Sequence, residues 1–115
     1  MKIKSAQRVR AEDITEAGAQ NARIRWLISR KDGAPNFAMR LIEVGPGGQT
    51  PLHRHEWEHE VFVLRGNGEL INEKGMSHPF SEGKAVLIRP NELHQFRNTG
   101  PETLRLICVV PITHP

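Results

Sequence analysis

The side chains in this sequence best suited to chemistry are its histidines. Three of them stand in one seven-residue stretch, His53-Arg54-His55-Glu56-Trp57-Glu58-His59, an H-x-H-x3-H cluster. Imidazole is a ligand for Zn, Cu, Fe and Ni, and Mn-type sites take it as well. In an extended strand, side chains two residues apart point to one face. His53 and His55 can therefore share one ion. His59 follows after three residues, enough for a bend that brings the next strand alongside. His94 opens a later apolar run and can supply a fourth ligand. The set His53, His55, His59 and His94 predicts a site for one divalent transition metal ion. The plainer alternative is a polar, solvated strand face. His78 and His114 lack such neighbours and read as surface residues.

Strand parity names the wall of a pocket around those ligands. Phe96 and Asn98 share a face with His94, and Val61 and Val63 share one with His59. On the last apolar run Leu106, Cys108 and Val110 share a face that Leu104 extends. Arg40 lies in the strand before the cluster. Its guanidinium could hold a carboxylate by two hydrogen bonds or stand in solvent, and parity leaves both open. The pocket set is thus Arg40, Phe96, Asn98, Leu106 and Cys108. Cys108 reads as a small buried hydrophobe, with a role beside the metal as the sharper alternative. Trp57 sits in the bend, packing it or stacking on a ligand. Glu56, Glu58 and Glu60 flank the ligands, mostly solvated, one of them able to orient an imidazole.

These residues need strands to position them. Apolar runs occur at Ile24–Ser29, Phe37–Val44, Leu52–His55, His59–Leu64, Gly68–Asn72, Ala85–Ile88, His94–Arg97 and Leu104–Val110. Turn signals separate them: Lys31-Asp32-Gly33-Ala34-Pro35-Asn36, Gly45-Pro46-Gly47-Gly48, Gly66-Asn67-Gly68, Lys74-Gly75, Glu82-Gly83, Pro90-Asn91 and Asn98-Thr99-Gly100-Pro101. Short strands with frequent turns predict an all-β sandwich or barrel. Alternating helices are absent, which excludes a βαβ architecture. Residues 1–22 are polar and Ala-rich and read as an N-terminal arm with at most a helical turn. Residues 23–115 read as the barrel domain. The early strand Ile24–Ser29 could pair inside the barrel or along a partner's sheet edge, so a dimer would cover it.

Length and composition narrow the class. At 115 residues the chain fits one domain. A single cysteine excludes an internal disulfide and with it a disulfide-built secreted scaffold. No apolar run approaches a membrane span of about 18 residues, and the first residues lack the apolar core of a signal peptide. The expectation is a soluble cytoplasmic protein. Net charge is +3, with acidic residues scattered among the basic ones. A nucleic-acid surface would be denser and one-sided.

The histidine spacing resembles the two motifs of the cupin superfamily. The first, G-x5-H-x-H-x3,4-E-x6-G, is matched by Gly47, His53, His55, His59 and Gly66, with His59 where the family usually has Glu. The second, G-x5-P-x-G-x2-H-x3-N, is matched in spacing by Gly83, Arg89, Asn91, His94 and Asn98. There Arg89 replaces the Pro and Asn91 the Gly. Asn tolerates a left-handed turn, so that exchange is mild. The stretch His55–Leu64 looks like that of the small four-histidine cupins. The resemblance implies a conical β-barrel (a double-stranded β-helix or jelly roll) with a metal inside, Mn, Fe, Ni, Cu or Zn, commonly in a homodimer. It implies a metal-dependent enzyme, foremost of oxygenase type, acting on a small organic or carboxylate substrate. The alternatives are a metal-dependent decarboxylase or isomerase, and a non-catalytic binder of a small, anionic ligand.

Overall fold

Apolar residues at every second position require a shared inner face, and the chain makes one by curling a single sheet. The computed structural model describes residues 1–112. Nine strands form it: β1 (Glu12–Asp13), β2 (Gln20–Ile28), β3 (Phe37–Gln49), β4 (His59–Arg65), β5 (Asn67–Asn72), β6 (Ser77–Ser81), β7 (Ala85–Ile88), β8 (His94–Asn98) and β9 (Leu104–Pro111). Their order is β6-β5-β8-β3-β9-β4-β7, with β2 on the other edge of β3 and β1 on β2. Two short 3-10 turns, Ala6–Arg8 and Arg30–Asp32, are the helical elements among the described residues. Among the described residues no helix is long and apolar enough to cross a membrane. The fold is the all-β, single-domain curled sheet expected from the motifs. His114 lies outside the described residues.

Alternation is strict where it matters. Residues 59, 61 and 63 of β4 are buried and their neighbours exposed, and β9 buries Leu104, Leu106, Cys108 and Val110. Val44, Val63, Leu104 and Leu106 are sealed from solvent, each contributing about 1.5–3 kcal/mol of apolar burial. Phe80 and Phe96 meet edge to face at 5.8 Å on the same inner surface.

Four elements differ from the sequence reading. The stretch Gly45-Pro46-Gly47-Gly48 reverses nothing. It lies within β3 as a bulge, where register with β2 jumps from Ala22↔Val44 to Gln20↔Gln49. A Cβ on Gly48 would lie 2.5 Å from the Gln20 carbonyl, so only glycine lets the strands close again there. Leu52–His55 is no strand. Beyond Gln49 the chain stays beside β8: Thr50 N–H donates to Phe96 at 2.9 Å, and His53 and His94 exchange backbone bonds at 3.2 and 3.0 Å. Pro51 has no N–H to donate, so the ladder breaks between them. β6 carries no period-two signal and includes Pro79, which it tolerates at the end of the sheet. β2 begins at Gln20, so the boundary drawn at residue 22 falls within a strand, and Ile24–Ser29 pairs inside the chain, against β3.

Candidate metal centre

Each histidine is brought to the site by a different piece of backbone. His94 begins β8, and the paired backbone of His53 and His94 sets these two residues opposite one another. His55 follows in the bend, where its carbonyl accepts the Asn91 N–H at 2.6 Å. Asn91 has φ 67°, the left-handed turn anticipated for it. His59 opens β4 on its inner face. The rings converge. His53 and His55 Nε2 atoms lie 3.2 Å apart, and centroids are 4.7 Å apart for His55–His59 and 5.2 Å for His59–His94. Ligand atoms of His53, His55 and His94 lie within 4.8 Å of one another, a group that does not take in His59, the fourth ligand expected from the sequence.

Hydrogen bonds choose which nitrogen faces inward. His53 Nδ1 lies 3.2 Å from a Glu16 carboxylate oxygen, and His94 Nδ1 lies 2.8 Å from the Glu92 carbonyl. A proton on each Nδ1 leaves Nε2 with its lone pair. His59 Nδ1 is 3.5 Å from Cys108 Sγ, and its Nε2 is buried with no hydrogen-bond partner among the described residues. Burial, reinforced by the neighbouring imidazoles and Arg40, pushes His55 down to about 4 and His59 down to about 3. Burial lowers His94 too. These three imidazoles are neutral at pH 7, the form that binds metals. An orphaned buried Nε2 beside three converging imidazoles fits one ion of the imidazole-preferring group.

The surrounding wall follows from strand register. Trp26, Arg40, Cys108 and Val61 form one row across β2, β3, β9 and β4, and Ile24, Ile42 and Leu106 form the next row on the first three of them. They line a cavity of about 270 Å³ with the four histidines and Phe96. Arg40 Nη2 donates to Cys108 Sγ at 2.8 Å, and burial raises the thiol's pKa. Of the anticipated pocket residues, Arg40, Phe96, Leu106 and Cys108 are on this wall. Asn98 is not. It shares the inner face of β8 with His94, but it stands four residues farther along and its amide donates to the Val44 and Glu102 carbonyls at 2.8 and 2.7 Å. Trp57 stacks on the His55 ring at 4.8 Å, nearly parallel, which packs the bend. His78 is exposed as expected.

The sequence reading missed Glu16, Trp26 and Thr50. Asp13, Ile14, Thr15 and Glu16 bring the N-terminal segment onto the cavity wall. A wider cleft of about 880 Å³ shares Glu16, Trp26, Arg40, His53, His55 and His59 with that cavity, so these three histidines stand where the smaller chamber meets the wider cleft, and His94 lines the chamber. The pairing of β1 with β2 carries this segment there, and no pattern in the sequence signals it.

Residues 40–110 match the cupin domain family (Cupin_2). The chain belongs to the cupin family. This cupin is similar to the polyketide cyclase RemF from Streptomyces resistomycificus, at 38% identity and TM-score 0.92, covering 100% of this chain and 82% of that one. It is 36% identical over 72 residues to 1-methylthio-D-xylulose 5-phosphate methylsulfurylase of Rhodospirillum rubrum, 63% of this chain and 46% of that protein. It is 33% identical over 91 residues to Auxin-binding protein 1 of Arabidopsis thaliana, 68% of this chain and 46% of that protein. The chain spans about half the length of these two curated relatives.

Proposed function

We propose that this cupin is a metal-dependent cyclase: His53, His55, His59 and His94 hold one divalent transition metal ion, and an extended carbonyl-rich chain closes a ring beside it. The observation that carries the reading is the buried His59 Nε2, unpartnered among the described residues, at the junction of the chamber and the wider cleft. The cleft is of a size that takes drug-sized ligands, and the likeness to a polyketide cyclase over the whole chain supports an extended substrate. When bound, the ion supplies Lewis acidity toward a carbonyl oxygen. The protein's part is to supply neutral donors, which leave the ion its full charge, and to keep water away with Val61, Phe96 and Leu106. Ring closure by aldol condensation forms one C–C bond, releases one water and needs no oxidant.

Elemental analysis of protein purified without a His-tag or chelating resin, beside His59→Ala, tests the centre. Near-stoichiometric Mn, Fe, Ni, Cu or Zn, reduced in the variant, is the expected result. No uptake of any of these ions would remove the proposal and leave a metal-free binder of small ligands. The oxygenase reading uses the same donor set, as does decarboxylation or isomerisation. Turnover of a poly-β-ketone that stops without O2 would replace the cyclase by the oxygenase, and CO2 release or an unchanged carbon skeleton would replace it by the other two. The same reading takes the chain as a homodimer, with exposed Phe62, Leu64 and Leu87 on the outer face of β4 and β7 to be covered. A monomer mass by light scattering would remove that part.

A further inference from the structure

Arg40 is the cation this cavity leaves unanswered. Of the arginines that are not exposed, Arg25 and Arg105 lie 2.9 and 3.5 Å from Glu43 carboxylate oxygens, whereas Arg40 has no carboxylate within ion-pair distance among the described residues. Asp13 and Glu16 share its cavity without pairing with it. Its Nε is buried and without a hydrogen-bond partner. A guanidinium partly withdrawn from water without a counter-charge is costly to keep, and a bound anion would offset that cost.

The same register that puts Arg40 on the wall also holds it still. Cys108 directly opposite on β9 accepts from Nη2 at 2.8 Å. Trp26, directly opposite on β2, lies with its ring centroid 5.4 Å from the guanidinium carbon. A guanidinium fixed on two sides loses little freedom when it meets a planar anion, the geometry that favours bidentate carboxylate binding. Cys108 is also the sulfur beside His59 Nδ1, so one thiol separates Arg40 from the histidine cluster.

We infer that Arg40 is the anion-binding residue of this site, and that its ligand is a carbonyl compound carrying a carboxylate beside the oxygens that reach the histidines. The inference rests on the metal reading for the second half of that ligand, and on Arg40 alone for the first. It narrows the substrate to an acid-terminated carbonyl chain, a class that neutral ketones and esters do not satisfy.

Two small probes separate the parts. Acetoacetate offers one ketone and one carboxylate, the two oxygens that would chelate the ion, and leaves no second anion for Arg40. Acetonedicarboxylate adds a second carboxylate. With zinc-loaded full-length protein in a calorimeter, acetonedicarboxylate should bind at least about tenfold more tightly than acetoacetate. Arg40→Gln should erase that preference while its zinc content and melting temperature stay those of the parent, and Arg40→Lys should restore it in part. Equal affinities in the parent, or an undiminished preference in a folded Arg40→Gln, would overturn the inference. If the protein takes up no zinc, the metal reading fails by itself. Loss of acetonedicarboxylate binding in Arg40→Gln would still support the anion site, and unchanged binding would overturn it.

Discussion

An imidazole can ligate only through a nitrogen that carries no proton, so the partners of the other nitrogen decide whether these histidines act together. Glu16, the Glu92 carbonyl and Cys108 occupy that role for His53, His94 and His59. Of the three, only Glu16 comes from the N-terminal segment, and its removal should be felt at the metal rather than in the fold. Glu16→Ala is expected to weaken zinc binding by about tenfold or more, the usual scale for a lost partner of a ligating histidine. Glu16→Gln, which still offers an oxygen to His53 Nδ1–H, should lose less. Competition against a chromogenic chelator reads both, and an affinity unchanged in Glu16→Ala would show that His53 needs no such orientation. The histidine cluster was legible because H-x-H-x3-H and a downstream His are patterns of local spacing. Cys108 was legible from the period of β9, and Arg40 only as an alternative, since its face is fixed by the register Trp26↔Arg40↔Cys108 rather than by its neighbours in sequence. Glu16 carried no signal at all, being one carboxylate in a polar arm.

At the scale of elements, the turns between strands are what keep those registers. Gly66 links β4 to β5 with φ +98°, and a Cβ there would stand 3.1 Å from the Leu104 Cα. Gly66→Ala therefore combines a left-handed backbone with a contact to a buried strand, and should cost about 1–3 kcal/mol. Gly75→Ala, at φ +73° with nothing within 4 Å, is the comparison that carries the backbone strain alone. Urea unfolding should place Gly66→Ala as the less stable of the two; equal midpoints would mean that Leu104 gives way freely. Gly-rich and Asn-containing turns were readable for this reason, as was the alternation of β4 and β9. The errors lie where pairing partners distant in sequence decide. Gly45-Pro46-Gly47-Gly48 has the composition of a turn, yet β2 and β9 flank the β3 residues before it and convert it to a bulge. Leu52–His55 has the alternation of a strand, yet Pro51 breaks its ladder with β8. β6 lacks alternation and is held by its hairpin to β5, where Asn72 Oδ1 accepts from Lys74 and Met76 N–H at 3.0 Å each.

For the whole molecule, burying neutral imidazoles ties stability to pH. In the unfolded chain each histidine titrates near 6.5, whereas His55 is held at about 4 and His59 at about 3 by burial first and neighbouring positive groups second. Between pH 6.5 and 4 the unfolded chain thus binds more protons, and stability must fall as pH falls through that window. Asp32 acts with the same sign but in a lower window. Hydrogen bonds from Lys4, then Ser29 N–H, then Lys2 hold it at about 2, so its contribution is intact above 3.8 and is lost only below that. The metal-free protein should accordingly lose about 5 °C or more of melting temperature from pH 7 to 4.5, and His59→Gln, which has no proton to gain, should show a shallower slope. A bound ion sharpens the effect. At a hundred times its dissociation constant it adds about 2.7 kcal/mol, and protons compete for the same lone pairs. The melting-temperature gain on adding zinc should be largest near pH 7 and should shrink toward pH 5. A gain that stays constant across that range would mean that the ion is held by groups other than these histidines.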